Sequence, residues 1–214
     1  MAEVLLKIEE LTKSFGGLRA IQQLSMEVEA GEIHAVIGPN GAGKTTLIAQ
    51  LSGSLKPDSG RILFEHQDIT HVPEYRRSAL GLARSFQITS VLKNFSALDN
   101  VALAVQAHAG HSFRFWSKAR KAQELREPAL EILEKIGLTD RMDMPASSLS
   151  HGEQRQLELA MALATRPKLL LLDEPMAGMG VEESQKMVEL LQDLKGTHTL
   201  VLIEHDMDAV FALA

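Results

Sequence analysis

A glycine-rich run that ends in a lysine and two threonines is the part of the sequence best suited to chemistry. Residues 38–45 read Gly-Pro-Asn-Gly-Ala-Gly-Lys-Thr, which matches the P-loop pattern of glycine, four residues, glycine, lysine and threonine. Glycines let the backbone curl so that successive N–H groups point at phosphate oxygens, and a helix after the loop adds its positive N-terminal end. The predicted phosphate-binding residues are Gly38, Asn40, Gly41, Ala42, Gly43, Lys44, Thr45 and Thr46.

The side chains at the end of this run have separate expected roles. Lys44 would bridge the β- and γ-phosphates of a nucleotide, Thr45 would hold Mg²⁺ through its hydroxyl, and Thr46 can donate to the α-phosphate. A simple glycine-rich turn is the alternative. The run lies between a predicted strand over 33–37 and a predicted helix through Leu51, and this context favours the phosphate site.

Two adjacent acids follow a run of four leucines at residues 169–172. In parallel sheets, ligands bind at the carboxyl ends of strands. Asp173 is then placed to hold Mg²⁺, directly or through water, and Glu174 to accept a proton from an attacking water. The alternative is a solvated strand end that leads into a turn at Pro175. The phosphate loop upstream favours the catalytic interpretation.

The elements that must position these residues alternate between strands and helices. Apolar runs predict buried strands over 33–37, 169–172 and 199–203, and spacings of three and four residues predict helices within 98–136, 157–164 and 181–194. This alternation predicts an α/β protein with a parallel sheet and helices on its faces. A helical lobe over about 88–160 interrupts a core formed by about 1–87 and 161–214.

Composition excludes several functional classes. The 214 residues include 22 basic and 28 acidic side chains, a net charge of −6, and no cysteine. There is accordingly no disulfide framework, thiolate zinc site or cysteine nucleophile. No apolar run reaches the roughly 18 residues of a membrane span, and the first residues do not form a signal peptide. The acidic balance argues against broad nucleic-acid binding. We expect a soluble, cytoplasmic domain whose membrane role comes through a partner.

Residues 149–154 read Leu-Ser-His-Gly-Glu-Gln, between the phosphate loop and the acid pair. With those two motifs, they give the chain a resemblance to the ATP-binding subunit of ABC transporters, whose signature motif is usually Leu-Ser-Gly-Gly-Gln. Ser150 precedes a predicted helix, so its hydroxyl and the helix N-terminus suit an anion. The resemblance implies that Ser150, Gly152 and Glu153 bind the γ-phosphate of ATP held by the opposite subunit. A helix cap and nothing more is the alternative for Ser150.

Three further residues gain roles from the resemblance. Gln87 resembles the glutamine that senses Mg²⁺ or water and relays this to the membrane subunit, and His205 resembles the switch histidine that contacts the γ-phosphate. Phe15 resembles the aromatic residue that stacks on adenine. The alternatives are a surface glutamine, a strand-end histidine and a core aromatic residue.

The resemblance also implies a fold, cofactors and partners. The expected architecture is a single ABC ATPase domain over 1–214, with a P-loop core, a small antiparallel β subdomain and an inserted helical subdomain. The expected cofactors are ATP and Mg²⁺, with Lys44, Glu174 and His205 as catalytic residues. The expected partners are a second ABC ATPase subunit, identical or not, the membrane permease subunits and, indirectly, a substrate-binding protein, without nucleic acid. The subunit would lie peripherally on the cytoplasmic face of the inner membrane.

Segments 13–20, 83–87 and 203–207 resemble the branched-chain amino acid importer group, which includes urea and amide relatives. The implied function is ATP hydrolysis that powers uptake of branched-chain amino acids or related small polar solutes. The alternative is a non-transport ABC ATPase that acts on ribosomes or DNA, but such proteins usually carry two cassettes or a long coiled-coil insertion.

The chain departs from the family pattern at three places. His151 replaces the first signature glycine, with Glu153 at the usual glutamine position, and Gly180 stands where the D-loop usually has an aspartate. The loss of that side chain brings strong coupling between the two ATP sites into question. Family chains also continue past the switch histidine through a helix and further strands, so the end at Ala214 is expected to reflect either a truncation or a divergent gene product.

Overall fold

Strands and helices alternate along the chain, and a computed structural model describes residues 3–85, 91–108 and 123–213. Its strands are β1 (Val4–Phe15), β2 (Leu18–Glu29), β3 (Ile33–Val36), β4 (Ser59–Phe64), β5 (Gln67–Asp68), β6 (Leu82–Arg84), β7 (Leu169–Asp173) and β8 (Thr199–Ile203). Its helices are α1 (Lys44–Ser52), α2 (Glu74–Ala79), α3 (Ala97–His108), α4 (Gln123–Lys135), α5 (His151–Ala164), α6 (Val181–Leu194) and α7 (Met207–Leu213). None of these helices, within the described ranges, is long and apolar enough to cross a bilayer.

The chain divides into two compact units. The first contains the described residues within Met1–Arg84, Lys168–Glu174 and Gln192–Ala214, and the second contains those within Ser85–Pro167 and Pro175–Leu191. The domain boundary predicted near residue 160 falls inside α5, which runs unbroken to Ala164.

A parallel sheet of strand order β3-β8-β7-β6 forms one layer of the first unit. Every residue of β7 and β8 is buried, as is typical of parallel strands covered on both faces. Val36 and Asp173, the last residues of β3 and β7, both pair with Ile203, the last residue of β8. The three strands therefore end at the same level, so the segments that follow them meet at one edge of the sheet.

An antiparallel sheet of order β2-β1-β4-β5 forms the other layer of this unit. Helix α1 contributes Leu47, Ile48 and Leu51 to a core shared with both sheets. Burial of such apolar side chains is the main favourable term in folding. The core fixes the position of α1, and with it the loop that precedes the helix.

The second unit is mainly helical. Helices α3, α4 and α5 pack against one another, with buried residues that recur at helical spacing, including Leu98 and Val101, Ala129 and Leu133, and Leu157 and Ala160. The predicted helical region over 98–136 forms two separate described helices, α3 and α4. Helix α5 begins at His151, six residues before the start expected from spacing, because Ser150 caps it there.

Candidate active site

The loop between β3 and α1 is held against the antiparallel sheet at Gly43. This residue has a φ of 89°, in the left-handed region, and directly precedes α1. A Cβ at this position would clash with the carbonyl oxygen of Ala20 in β2. Only glycine meets both constraints without strain, so the predicted phosphate loop enters α1 at a fixed point on the sheet.

Lys44 places its charge over this loop. The side chain is buried, with 8% of the residue exposed. Its Nζ donates to the carbonyl oxygens of Gly38 at 2.7 Å and Pro39 at 3.0 Å. An ammonium group has three donors, so these two described contacts leave one N–H for a phosphate oxygen.

The rest of the predicted loop is accessible. Asn40, Gly41, Ala42 and Thr45 are exposed, while Thr46 is half-buried. A ligand can therefore reach both the loop backbone and the Thr45 hydroxyl.

Asp173 is a buried carboxylate at the end of β7. Its side chain is 0% exposed, and Arg84 Nη2 lies 3.4 Å from its Oδ2. Its Oδ1 has no hydrogen-bond partner among the described residues. Burial raises the pKa of Asp173 above its ordinary value; the charge of Arg84 opposes this rise and that of Glu174 adds to it. A buried carboxylate oxygen without a hydrogen bond is costly, and a bound cation would offset that cost.

The residues present fit a Mg²⁺ site. The free Oδ1 of Asp173 and the exposed Thr45 hydroxyl are hard oxygen ligands, and Mg²⁺ usually takes only one or two protein ligands besides substrate phosphates. Over the described ranges, no group of three histidine or acidic side chains could enclose a metal ion.

Glu174 follows β7 in a strained backbone conformation. Its φ is 50°, and a left-handed conformation costs a non-glycine residue about 1–3 kcal/mol. Its N–H donates to the carbonyl oxygen of Ile203 at 3.0 Å, which holds the residue at the sheet edge. Functional residues are often kept in such conformations by the surrounding fold.

His205 lies beside Glu174. His205 Nδ1 is 3.9 Å from Glu174 Oε1, and the imidazole is 59% exposed. The His205 N–H donates to Oε2 of the buried Glu204 at 3.1 Å. The structure therefore brings together Asp173, Glu174 and His205 at the edge where β7 and β8 end.

Phe15 ends β1 and is not part of the core, since 49% of it is exposed. Lys13 Nζ lies 5.6 Å from its ring centroid. Asp58 accepts hydrogen bonds from Lys13 Nζ and the Ser14 N–H, both at 2.7 Å. These contacts hold the strand end, leaving the ring available for stacking.

The signature residues lie in the second unit, at the start of α5. Ser150 Oγ accepts the Glu153 N–H at 3.1 Å, and the Glu153 carboxylate accepts the Ser150 N–H at 2.8 Å, which forms a capping box. Burial works against ionisation of Glu153, but the Ser150 N–H and Arg141 hold its pKa below the ordinary value. Ser150 is thus a helix cap, and it would bind a phosphate in addition to capping α5.

Two of the departures, in the signature motif and in the D-loop, have described surroundings in the same unit. A Cβ on Gly178 would lie 3.5 Å from Cε1 of His151, so the imidazole lies against the D-loop. The Gly180 N–H donates to Oε2 of Glu183 at 3.3 Å, and Ser150 Oγ donates to Oε1 of Glu183 at 3.2 Å.

Gln87 lies outside the described residues. Sequence reasoning missed Arg84, the partner of Asp173, and Glu204, next to His205. Both lie at the carboxyl ends of parallel strands, or just beyond, so the rule that predicted the acid pair could have found them. It also missed Glu183, because nothing local links residues 33 positions apart.

A sequence profile described as ABC transporter matches residues 21–177. The chain is 35% identical over 221 residues to the high-affinity branched-chain amino acid transport ATP-binding protein BraF of Pseudomonas aeruginosa, covering 100% of this chain and 87% of that protein. It is 38% identical over 209 residues to a probable branched-chain amino acid transport ATP-binding protein LivG of Archaeoglobus fulgidus, covering 96% and 81%.

Two solved structures share the fold. A nucleotide-free ATP-binding cassette from an ABC transporter matches with a TM-score of 0.85 and 32% identity, over 98% of this chain and 85% of that one. An ATP-binding cassette in its ADP conformation matches with a TM-score of 0.84 and 34% identity, over 97% and 83%. These likenesses confirm the predicted fold class.

Proposed function

The chain belongs to the ABC transporter family, and we propose from this premise that it is the ATP-binding and ATP-hydrolysing subunit of an importer. Its cargo would be branched-chain amino acids or related small polar solutes. Full-length likeness to branched-chain amino acid transport ATP-binding proteins supports this cargo class. The same likeness favours the importer over a non-transport ATPase that acts on ribosomes or DNA.

The observation that carries the hydrolase proposal is the meeting of three residues at one sheet edge. The buried Asp173, the strained Glu174 and the exposed His205 follow or end neighbouring strands, with Glu174 and His205 within 3.9 Å. A hydrolytic site needs a metal ligand and a proton acceptor close together. The position of Glu174 beside His205 supports hydrolysis over nucleotide binding alone.

The phosphate loop would bind the triphosphate. Backbone N–H groups of 38–46 would receive the phosphate oxygens, and Lys44 would exchange its carbonyl contacts with Gly38 and Pro39 for contacts with the β- and γ-phosphates. Thr45 and Asp173 would hold Mg²⁺, which when bound offsets phosphate charge. Phe15 would stack on the adenine.

Glu174 and His205 would act on the attacking water. The Glu174 carboxylate would accept the proton of a water in line with the γ-phosphate, and His205 would hydrogen-bond the γ-phosphate from the neighbouring strand end. Gln87 is proposed to sense Mg²⁺ or the water. Ser150 of the partner subunit would offset charge on the γ-phosphate, with Gly152 and Glu153 beside it.

Two subunits would therefore close head to tail around two ATP molecules. Closure would move the permease subunits through differential contacts in the open and closed states, and a substrate-binding protein would deliver the cargo. The subunit would sit peripherally on the cytoplasmic face of the inner membrane.

The decisive experiment is Glu174→Gln. This variant keeps the shape of Glu174 but cannot accept the proton, so it should bind ATP normally, hydrolyse it about 10²–10⁴-fold more slowly, and accumulate as a dimer. Phosphate release with the permease partners present measures turnover, and sedimentation measures the dimer. Glu134→Gln, an exposed change of equal charge in α4, is the matched control. Near-normal turnover in Glu174→Gln would place the base elsewhere.

A further inference from the structure

The Glu183 carboxylate links the signature motif to the D-loop within one chain. One of its oxygens, Oε1, accepts the Ser150 hydroxyl at 3.2 Å, and the other, Oε2, accepts the Gly180 N–H at 3.3 Å. A Cβ on Gly152 would lie 2.6 Å from both Cδ and Oε1 of Glu183. The carboxylate is therefore held against Ser150 and Gly152, two of the three signature residues that would receive a phosphate.

A hydroxyl group has one proton to donate. Ser150 Oγ already accepts the Glu153 N–H, so its proton is its only means of binding an anion, and this proton is given to Glu183. A γ-phosphate and Glu183 cannot both receive it. Two anions a few ångströms apart also repel each other, strongly where water is excluded.

We propose that Glu183 is an autoinhibitory anion: its carboxylate occupies the signature motif and raises the ATP concentration that closes the dimer. Ser150 and the N-terminus of α5 remain preformed, but a partner's γ-phosphate must displace Glu183 before it binds. This inference rests on the proposed function, because it assumes that Ser150 binds phosphate in trans.

The same contact reaches the D-loop at the position of its departure from the family pattern. Gly180 has no side chain to contact another subunit, yet its N–H is tied to the carboxylate that Ser150 binds. Displacement of Glu183 from Ser150 would therefore loosen the hold on Gly180 as well.

The test uses the full chain in a Glu174→Gln background, in which dimers persist. Glu183→Gln removes the charge and keeps an oxygen acceptor, and Glu183→Ala removes the whole carboxyl group. We expect both to lower the ATP concentration for half-maximal dimer, measured by sedimentation, by fivefold or more. Glu182→Gln, an exposed neighbour with the same charge change, should shift it less than twofold.

The outcomes separate the two proposals. If Glu174→Gln alone forms no dimer at saturating ATP, the proposed sandwich dimer fails and this inference fails with it. If that variant forms dimers but both Glu183 variants need as much ATP or more, only the autoinhibitory role is overturned. A fluorescent ATP analogue that binds each monomer with equal affinity shows that the variants are folded.

Discussion

At the scale of single residues, the two adjacent acids at the end of β7 lie in opposite environments. Asp173 is fully buried beside Arg84, whereas the side chain of Glu174 is 21% exposed and lies near His205. A buried carboxylate with a free oxygen suits a cation, and a partly exposed one can exchange a proton with water. The different environments of these two carboxylates therefore suit Asp173 to metal binding and Glu174 to proton transfer.

Asp173→Asn should stabilise the protein at neutral pH when nucleotide and metal are removed. The pKa of Asp173 is raised in the folded state, so the folded chain keeps a proton that the unfolded chain releases. Stability due to this group is therefore lost as the pH rises from the ordinary carboxyl value through the raised one. The variant avoids that loss, because asparagine carries no charge.

Denaturant unfolding in a chelating buffer measures this effect. The free energy of unfolding should be higher for Asp173→Asn than for the wild type at pH 8, and the gain should shrink as the pH falls towards 4. Asp143→Asn, an exposed change, controls for net charge. An Asp173→Asn variant that is no more stable at any pH would show that Arg84 compensates the buried charge fully.

At the scale of elements, the loop–helix unit from β3 to α1 depends on its contact with β2. Gly43→Ala would combine an alanine in the left-handed conformation with a Cβ that clashes with the Ala20 carbonyl oxygen. We expect a loss of about 2–4 kcal/mol in the free energy of unfolding, from backbone strain plus overpacking. Urea unfolding of the nucleotide-free chain measures this loss.

Gly41→Ala is the matched control for the loop. Gly41 has a φ of 83°, but a Cβ there would have nothing within 4 Å. This variant should lose only the left-handed cost of about 1–2 kcal/mol. Equal losses in the two variants would mean that the loop moves away from β2 freely and is not pinned there.

Strands and helices could be predicted from the sequence where an apolar run or a repeating apolar spacing continues without interruption. The leucine run of β7 and the apolar run of β8 predicted buried strands, and these in turn predicted the placement of Asp173 and Glu174. Strands β1 and β2 are 12 residues each, and register shifts and positive φ values at Glu10 and Gln23 break their two-residue alternation. Alternation alone therefore does not give the full extent of these two strands.

Contacts between distant segments had no pattern to reveal them. The buried guanidinium of Arg77 donates to the carbonyl oxygens of Gln50 and Leu51 in α1 and of Thr70 and Val72 in the segment between β5 and α2. Desolvation lowers its pKa to about 10. A single arginine in a polar stretch of sequence does not indicate that it will be buried and hydrogen-bonded in this way. The contacts of Glu183 could not be predicted from the sequence for the same reason.

At the scale of the whole molecule, the proposed ATP contacts are divided between the two compact units. Phe15, the loop over 38–46, Asp173 and His205 belong to the first unit, and Ser150 belongs to the second. ATP bound to one chain should therefore protect the first unit, while the start of α5 should respond only when a second chain supplies its nucleotide.

Hydrogen exchange can measure this division. In Glu174→Gln at protein concentrations too low for dimers, ATP should slow amide exchange at 38–46 at least tenfold and leave 150–153 unchanged. At concentrations that give dimers, exchange at 150–153 should slow as well. Protection of 150–153 in the monomer would contradict binding in trans; the ATP-free protein at both concentrations is the control.

The backbone at Glu174 has a consequence for how sequences of this kind change over time. With φ at 50°, a glycine or an asparagine would relieve backbone strain at this position. Selection for stability alone would therefore replace the glutamate. Gly43, in contrast, is demanded by folding whether or not the chain turns over ATP. Among descendants that lost their activity, position 174 should change early and position 43 late.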